Sequence, residues 1–370
     1  MVINKIAFVI DGLQMGGAEK FLIYIANNFY RNGFNPLVIL LSEETALIDE
    51  LNKNIRVEII KRKSRYDLFI SKRIKRLINS EGINKIFCIN TYAFFLTKLA
   101  FLFDRKVQFY LSLHTTIPSS IKSYLQNLIY TRFICDSDFV IYICNNQKQY
   151  LQKKYYLNPK LKTIIYNGID TSYFNSFHFS EQEIASLRMS MNLADDDKVI
   201  IKVARLFAEK GHFDAIDALK ILHEKNEQKP YLLFVGGGEK VYVDALKRYA
   251  KEKKLENYIL FTGNQWDVRK YYCLADVFTL TSFSVETFSL AALEAMAFGL
   301  PCSLTDIGGA GEMIVEGVTG YLSQVKSPSS IAESWEKLLN KNIKGQGIRN
   351  FVLQRFSSER MLRSYLELVG

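Results

Sequence analysis

The sequence predicts an α/β protein made of two successive doubly wound domains. Three observations carry that prediction. Short apolar runs alternate with helical stretches along the chain, the pattern of a parallel sheet with helices on both faces. A strand, a glycine turn and a helix occur in succession in each half, at Gly16-Gly17 and again at Gly236-Gly237-Gly238. The 370 residues also exceed what one hydrophobic core ordinarily supports. The spacing predicts domains at 1–170 and 171–356, with a last helix over 357–370 that crosses back onto the first.

In order, residues 5–10 form an apolar run with the look of a buried parallel strand. Asp11 to Lys20 is a turn, and a helix over 21–31 closes at Gly33. Gly16 and Gly17 in that turn allow a close approach of backbone to a ligand. The dinucleotide fingerprint G-x-G-x-x-G is absent there. Strands follow at 36–41, 56–60, 85–89, 107–113, 139–143 and 163–165, with helices between most of them. His114 comes directly after the strand 107–113, and ligands of such sheets bind beyond the carboxyl ends of strands. Asn167 to Asp170 is a turn that ends the first series. The second has strands at 198–204, 231–235, 258–262, 277–280 and 302–305, with helices at 213–224, 240–254 and 268–274 and one from Leu290. Gly308-Gly309 is a further turn. Two similar domains in succession imply a cleft between them.

The charge is uneven. Residues 1–166 hold 24 Lys and Arg against 12 Asp and Glu, whereas 167–370 hold 24 against 26. A basic half suits nucleic acid, an anionic membrane or phosphorylated substrates. The five cysteines are odd in number and widely spaced, without zinc spacing, which reads as reduced thiols in cytosol. No apolar run reaches the length of a membrane span, and residues 1–10 read as a strand rather than a signal peptide.

The second half is organised around 277–301. The strand 277–280 leads into a loop, and from Leu290 the residues are strong helix formers up to a stop at Gly299 and Pro301. Thr287 or Ser289 can cap that helix. Backbone N–H groups at its start attract phosphate. Glu286 precedes the helix and Glu294 lies eight residues on, about two turns away. Glu294 interrupts an apolar run, where a charge is costly without a partner. Carboxylates on both sides of a phosphate site suit a diphosphate flanked by hydroxyl-rich rings, that is, a sugar nucleotide. Arg205 and Lys210 lie in the loop after the strand 198–204, where a guanidinium fork and an ammonium suit diphosphate oxygens.

GGAEK at 16–20, NGID at 167–170, ARL-x4-KG at 204–211, VGGGE at 235–239, Glu-x7-Glu at 286–294, GLP at 299–301 and G-x-x-GYL at 317–322 occur in this order. By them the chain resembles the family 4 retaining glycosyltransferases, whose two Rossmann-like domains make the GT-B architecture. The resemblance implies a nucleotide-sugar donor, UDP-linked rather than GDP-linked, bound by the second domain. It implies hexosyl or N-acetylhexosaminyl transfer to a glycan or lipid-linked acceptor on the first, in bacterial cell-surface polysaccharide or glycoconjugate synthesis. Gly16 and Gly17 would serve the acceptor side and the β-phosphate. His114 would contact the donor sugar, Arg205 and Lys210 the diphosphate. Glu286 would bind hydroxyls of the transferred sugar, and Thr287, Phe288, Ser289 and Leu290 would offer N–H groups to the phosphates. Glu294 would bind the ribose, and the segment from Gly263 would lie along the base. Many members carry glycine where Thr287 stands, and glycine or proline where Ser289 stands.

No cofactor and no metal are expected, since Asp195-Asp196-Asp197, which contains an Asp-x-Asp spacing, reads as a solvated turn. A stretch over 61–78, with Lys61, Arg62, Lys63 and Arg65 ahead of Leu68, Ile70, Ile74, Leu77 and Ile78 interleaved with cations, suggests attachment to an anionic membrane surface at the cytoplasmic face. Two other readings stand beside this one. A sugar-nucleotide epimerase of the same architecture would need acid and base groups around the sugar. A nucleic-acid-binding protein would use the basic half, but no zinc finger or helix-turn-helix supports it, so no nucleic-acid partner is expected.

Overall fold

The structure is a computed structural model and describes residues 4–370 apart from 15, 63–66, 68, 103, 105, 116–119, 226–228, 285 and 342. The chain divides into two compact units, Met1–Asn167 with Met361–Gly370, and Gly168–Arg360.

The first unit holds a sheet of β1 (Lys5–Ile10), β2 (Asn35–Leu40), β3 (Arg56–Ile59), β4 (Lys85–Ile89), β5 (Gln108–Leu113), β6 (Phe139–Tyr142) and β7 (Leu161–Ile164). Their order is β3-β2-β1-β4-β5-β6-β7, and every pair is parallel. Alternation along β1 assigns its residues to two cores. Ala7 and Val9 face one, Ile6, Phe8 and Ile10 the other, and all are buried. Both faces are therefore covered, which is why the strands are apolar without a polar side. The helix Gly17–Arg31 covers one face through Leu22, Ile25, Ala26 and Phe29. Tyr365 and Met361 join that same core, and Lys85 Nζ donates to the carbonyl of Val369.

The helix Phe69–Glu81 covers the other face, and this overturns its reading as a membrane helix. Ile70, Ile74 and Ile78 are fully buried in the core, and Leu77 packs against it. Each such isoleucine contributes roughly 1.5–3 kcal/mol by leaving water. The apolar face is thus occupied, although Lys72, Arg73 and Arg76 remain exposed. Lys63, Arg65 and Leu68 lie outside the described residues.

The second unit holds β8 (Val199–Val203), β9 (Tyr231–Val235), β10 (Ile259–Phe261), β11 (Val277–Leu280), β12 (Cys302–Thr305) and β13 (Gly320–Ser323), all parallel, in the order β10-β9-β8-β11-β12-β13. The sequence did not suggest β13 or the helices Pro328–Lys341 and Gln346–Arg355. The first of these buries Trp335, whose Nε1 donates to Thr279 Oγ1 on β11 at 3.0 Å. Several boundaries also move. The first helix starts at Gly17 with Gly16 as its extended cap, not at 21, and the last is Ser358–Val369. Cys88, Cys144 and Cys302 are buried, Cys273 is half-buried and Cys135 is exposed.

Candidate functional site

In the second unit the parallel sheet puts every loop that follows a strand on one edge. The strand order reverses between β8 and β11, and a crevice at such a switch point is where ligands bind in open α/β sheets. The loop after β8 carries Arg205 and Lys210, and the loop after β11 carries Glu286. These loops meet. Lys210 Nζ pairs with Glu286 Oε2 at 2.7 Å, with about 19% of each side chain exposed. Ser282 Oγ donates to the same carboxylate oxygen at 3.4 Å, and Phe283 N donates to Glu209 O at 3.0 Å. Arg205 is exposed, with its guanidinium 5.1 Å from the ring centre of Phe207, and makes no ion pair among the described residues.

The helix Leu290–Ala297 begins beside this pair. Ser289 is its cap, accepting from Ala292 N at 3.2 Å. Thr287, Phe288, Ser289 and Glu286 line a narrow crevice with Ser282, Thr305 and Ile307. Gly308 makes the approach of the next loop possible. Its φ is +55°, and a Cβ there would lie 1.8 Å from the carbonyl oxygen of Glu286. Gly309 N in turn donates to Thr287 O at 2.7 Å. Glu294 is half-buried about one turn into the helix and accepts from Tyr272 Oη at 2.8 Å. Burial, and then the nearby Glu294 charge, holds the Tyr272 phenol well above its ordinary range, so it stays a donor. Gly263 is exposed, and its carbonyl accepts from Gly236 N at 3.0 Å, which ties the loops after β9 and β10 together. Arg205, Lys210, Gly263 and residues 286–289 thus lie in segments that follow strands on one sheet edge, and Glu294 lies in the helix that starts there.

Lys202 was not singled out from sequence. It is 1% exposed in the middle of β8, and its Nζ donates to Lys210 O and Thr281 Oγ1. Burial, and then the Lys210 cation, pulls its pKa well below the ordinary lysine value. Thr281 Oγ1 donates onward to Gly211 O at 2.5 Å. A strand lysine reads as a solvent-facing residue until both faces of the sheet are known to be covered.

In the first unit Gly16 caps the helix Gly17–Arg31, and an added Cβ would meet Glu19 Oε2 at 2.3 Å. His114 follows β5, packs on Phe21 with ring centres 4.2 Å apart and planes tilted by 41°, and shares a hydrogen bond with Ser112 Oγ at 2.9 Å. Desolvation pushes its pKa down to about 3, so the imidazole is neutral at physiological pH. This unit's strand order reverses between β1 and β4. Near that point lies a cavity of about 160 Å³ lined by Asn90, Thr91, Tyr92, Thr115, Asn127 and Tyr155 among others. Beside it is a more open one of about 380 Å³ lined by Asp11, Arg62, Tyr92, Ser123, Gln126, Asn127 and Tyr130. Arg62 bridges the Asp11 carboxylate at 2.7 Å and the Tyr92 hydroxyl. Amides, hydroxyls and the rings of Tyr92, Tyr130 and Tyr155 make linings suited to a sugar ring. Of these cavity residues only Arg62 was singled out from sequence, and for a membrane surface rather than a pocket, though Asp11 and Asn90 each come directly after a strand.

Asp195 and Asp196 are exposed in a turn, and Asp197 Oδ2 accepts from Ala194 N at 2.7 Å. Among the described residues, no group of three or more His, Cys, Asp and Glu could hold a metal ion, and no helix is long and apolar enough to cross a membrane.

Comparison with known proteins bears on these edges. Residues 15–173 match the family described as Glycosyltransferase Family 4, and residues 184–351 match Glycosyl transferases group 1. The chain is 28% identical over 215 residues to the N-acetyl-alpha-D-glucosaminyl L-malate synthase of Bacillus anthracis, an alignment covering 56% of this chain and 53% of that protein. It is 25% identical over 234 residues to the UDP-Gal:alpha-D-GlcNAc-diphosphoundecaprenol alpha-1,3-galactosyltransferase of Escherichia coli, covering 61% and 57%. The chain thus spans little more than half the length of these curated relatives. The crystal structure of Anabaena HepE in complex with UDP shares the fold, with a TM-score of 0.83, 23% identity and 99% of each chain covered.

Proposed function

We propose that this chain, which belongs to the family 4 glycosyltransferases of the GT-B type, moves a sugar from a nucleotide sugar to a glycan or lipid-linked acceptor. The observation that carries this reading is the pairing of Lys210 with Glu286 beside the start of the helix Leu290–Ala297. It brings a cation, a carboxylate and helix amides to one switch point. Breaking a glycosidic C–O bond builds negative charge on the diphosphate and positive charge on the sugar. Arg205, Lys210 and the amides of residues 287–290 would stabilise the former before reaction begins. Glu286 would accept hydrogen bonds from hydroxyls of the transferred sugar. Glu294, oriented by Tyr272, would accept from the ribose, and the segment from Gly263 would follow the base.

Residues 1–167 would hold the acceptor, with the cavities around Tyr92 and Asn127 as its sugar pocket. Gly16, Gly17 and His114 take their roles from the family resemblance, Gly16 and Gly17 toward the acceptor and β-phosphate, His114 toward the donor sugar. A UDP-hexose or UDP-N-acetylhexosamine is the favoured donor, supported by the names of the two relatives and by the UDP complex of HepE. Retention of anomeric configuration, metal-independent turnover and a role in cell-surface glycan synthesis belong to the same reading. So does peripheral attachment to an anionic membrane at the cytoplasmic face, for which the exposed Ile121, Leu125 and Ile129 of the helix Ile121–Tyr130 now offer the surface.

The test is a screen of UDP- and GDP-sugars by thermal shift, then transfer to undecaprenyl-diphosphate-linked sugars with and without EDTA. Stabilisation by a UDP-sugar and an acceptor-dependent product that survives EDTA are expected. An epimerised sugar formed without acceptor would replace this reading with the epimerase.

A further inference from the structure

Lys202 differs from the other cations of the second unit. It is 1% exposed, and among the described residues it has no carboxylate at ion-pair distance. Its Nζ has two acceptors, the carbonyl of Lys210 and the hydroxyl of Thr281. Thr281 Oγ1 gives its own hydrogen to backbone carbonyls, so it can only accept from the amine. Two acceptors match the two N–H groups of a neutral amine, and a third N–H would be buried without a partner. A buried ammonium held by neutral acceptors alone is costly.

The charged and titratable groups around it are few. Lys210 stands on the turn above it and disfavours a second cation. Asp214, on the helix His212–Lys225, and Glu286, in the loop after β11, favour one. His212, on that same helix, is pushed down to about 2, chiefly by burial, so it brings no charge. Glu286 is itself paired with Lys210.

We propose that binding of a nucleoside diphosphate is coupled to the uptake of one proton by the Nζ of Lys202. This rests on the reading that Arg205, Lys210 and the helix Leu290–Ala297 receive a diphosphate. The arriving anion brings at least two negative charges next to Lys210, and a neighbouring negative charge favours the charged form of an amine. The amine lone pair takes a proton from buffer, and the neutral amine becomes an ammonium. The empty site thereby avoids a further cation beside Arg205 and Lys210. The occupied site gains one where the leaving group develops charge.

The experiment is calorimetric titration of the full chain with UDP and with GDP, in buffers of differing ionisation enthalpy, between about pH 7.5 and 9.5. That range lies above the second phosphate ionisation near about 6. The apparent enthalpy should vary linearly with buffer ionisation enthalpy, with a slope approaching about one proton taken up per diphosphate bound. Lys202→Met should bind diphosphate with a slope near zero. Should that variant not fold, 13Cε resonances of labelled lysines in the unaltered chain report the same step, one of them moving to its protonated position on adding UDP. Binding with no buffer dependence at any pH would overturn the proposal, and so would a slope retained in Lys202→Met. Absence of heat with both diphosphates would instead remove the diphosphate reading of the site, and this coupling with it.

Discussion

Glu286 and Glu294 differ in what they already hold, and that difference can be measured. Glu286 faces Lys210, while Glu294 accepts from the Tyr272 hydroxyl. Glu286→Gln keeps shape and removes charge, which weakens hydrogen bonds to sugar hydroxyls by roughly 1.5–3 kcal/mol. Turnover should fall about ten- to a hundred-fold, with free UDP still bound nearly normally. Glu294→Gln should weaken UDP-sugar and UDP alike, because both carry the ribose. Tyr272→Phe should follow it more mildly, since it loses one orienting hydrogen bond worth about 1 kcal/mol. Calorimetry of the three variants with both ligands separates these cases, and equal losses throughout would sink the assignment of ends. Gly308→Ala acts through backbone. Its Cβ would collide with the Glu286 carbonyl, so the loop must move and donor affinity should drop with the fold retained by circular dichroism. The cost of a carboxylate inside the apolar run 290–298 was legible in the sequence. Its partner was not, because Tyr272 lies 22 residues away and no local pattern links the two.

Helical periodicity reports that a face is apolar but not what covers it. The helix Phe69–Glu81 shows this, since Ile70, Ile74 and Ile78 would look the same against a bilayer as against a core. The helix Ile121–Tyr130 shows the converse. Ser123, Gln126, Asn127 and Tyr130 face the larger cavity, Tyr124 and Leu128 pack on the core, and Ile121, Leu125 and Ile129 are left exposed one turn apart. Replacing these three by serine should reduce flotation with phosphatidylglycerol vesicles. It should change stability little, because exposed substitutions usually fall within about 0.5 kcal/mol. Ile74→Ser should instead destabilise the fold by several kcal/mol, at least as much as the roughly 2–5 kcal/mol of a large-to-small core change. Unaltered flotation of the triple variant would leave the membrane attachment without a surface. Five strands, at 5–10, 85–89, 231–235, 277–280 and 302–305, have the bounds that their apolar runs suggest. β13 was missed because Gly320 to Ser323 contains only two apolar residues and no such run.

For the molecule as a whole, acid is the expected weakness. Burial depresses His114 to about 3 and His212 to about 2 in the folded chain, against about 6.5 for an unfolded histidine. Below about pH 6.5 the unfolded chain binds protons that the folded chain refuses, so stability falls as pH falls, toward pH 3 for His114 and lower for His212. Above that window neither histidine matters. The slope is roughly 1.4 kcal/mol per pH unit for each. Urea midpoints at pH 7 and pH 5 measure it, and His114→Gln should lessen the difference between them, whereas an unchanged difference would clear His114 of the effect. The two-unit division was legible from the repeat of strand, turn and helix, because parallel sheets leave apolar runs that mark nearly all of their strands, β13 excepted. The cavities of the first unit were not, since their walls come from the starts and faces of helices and from loops far apart in sequence.

The thiols give that same unit a spectroscopic use. Burial raises Cys88 and Cys302 far above neutral pH and Cys273 to about 11, and Cys144 is enclosed. Cys135 alone is exposed, four residues before the start of β6. It therefore lies at the amino-terminal edge of the sheet, away from the carboxyl-terminal edge where the cavities open. A maleimide fluorophore should attach there once per chain, by intact-mass measurement, and report from the first unit without obstructing its pockets.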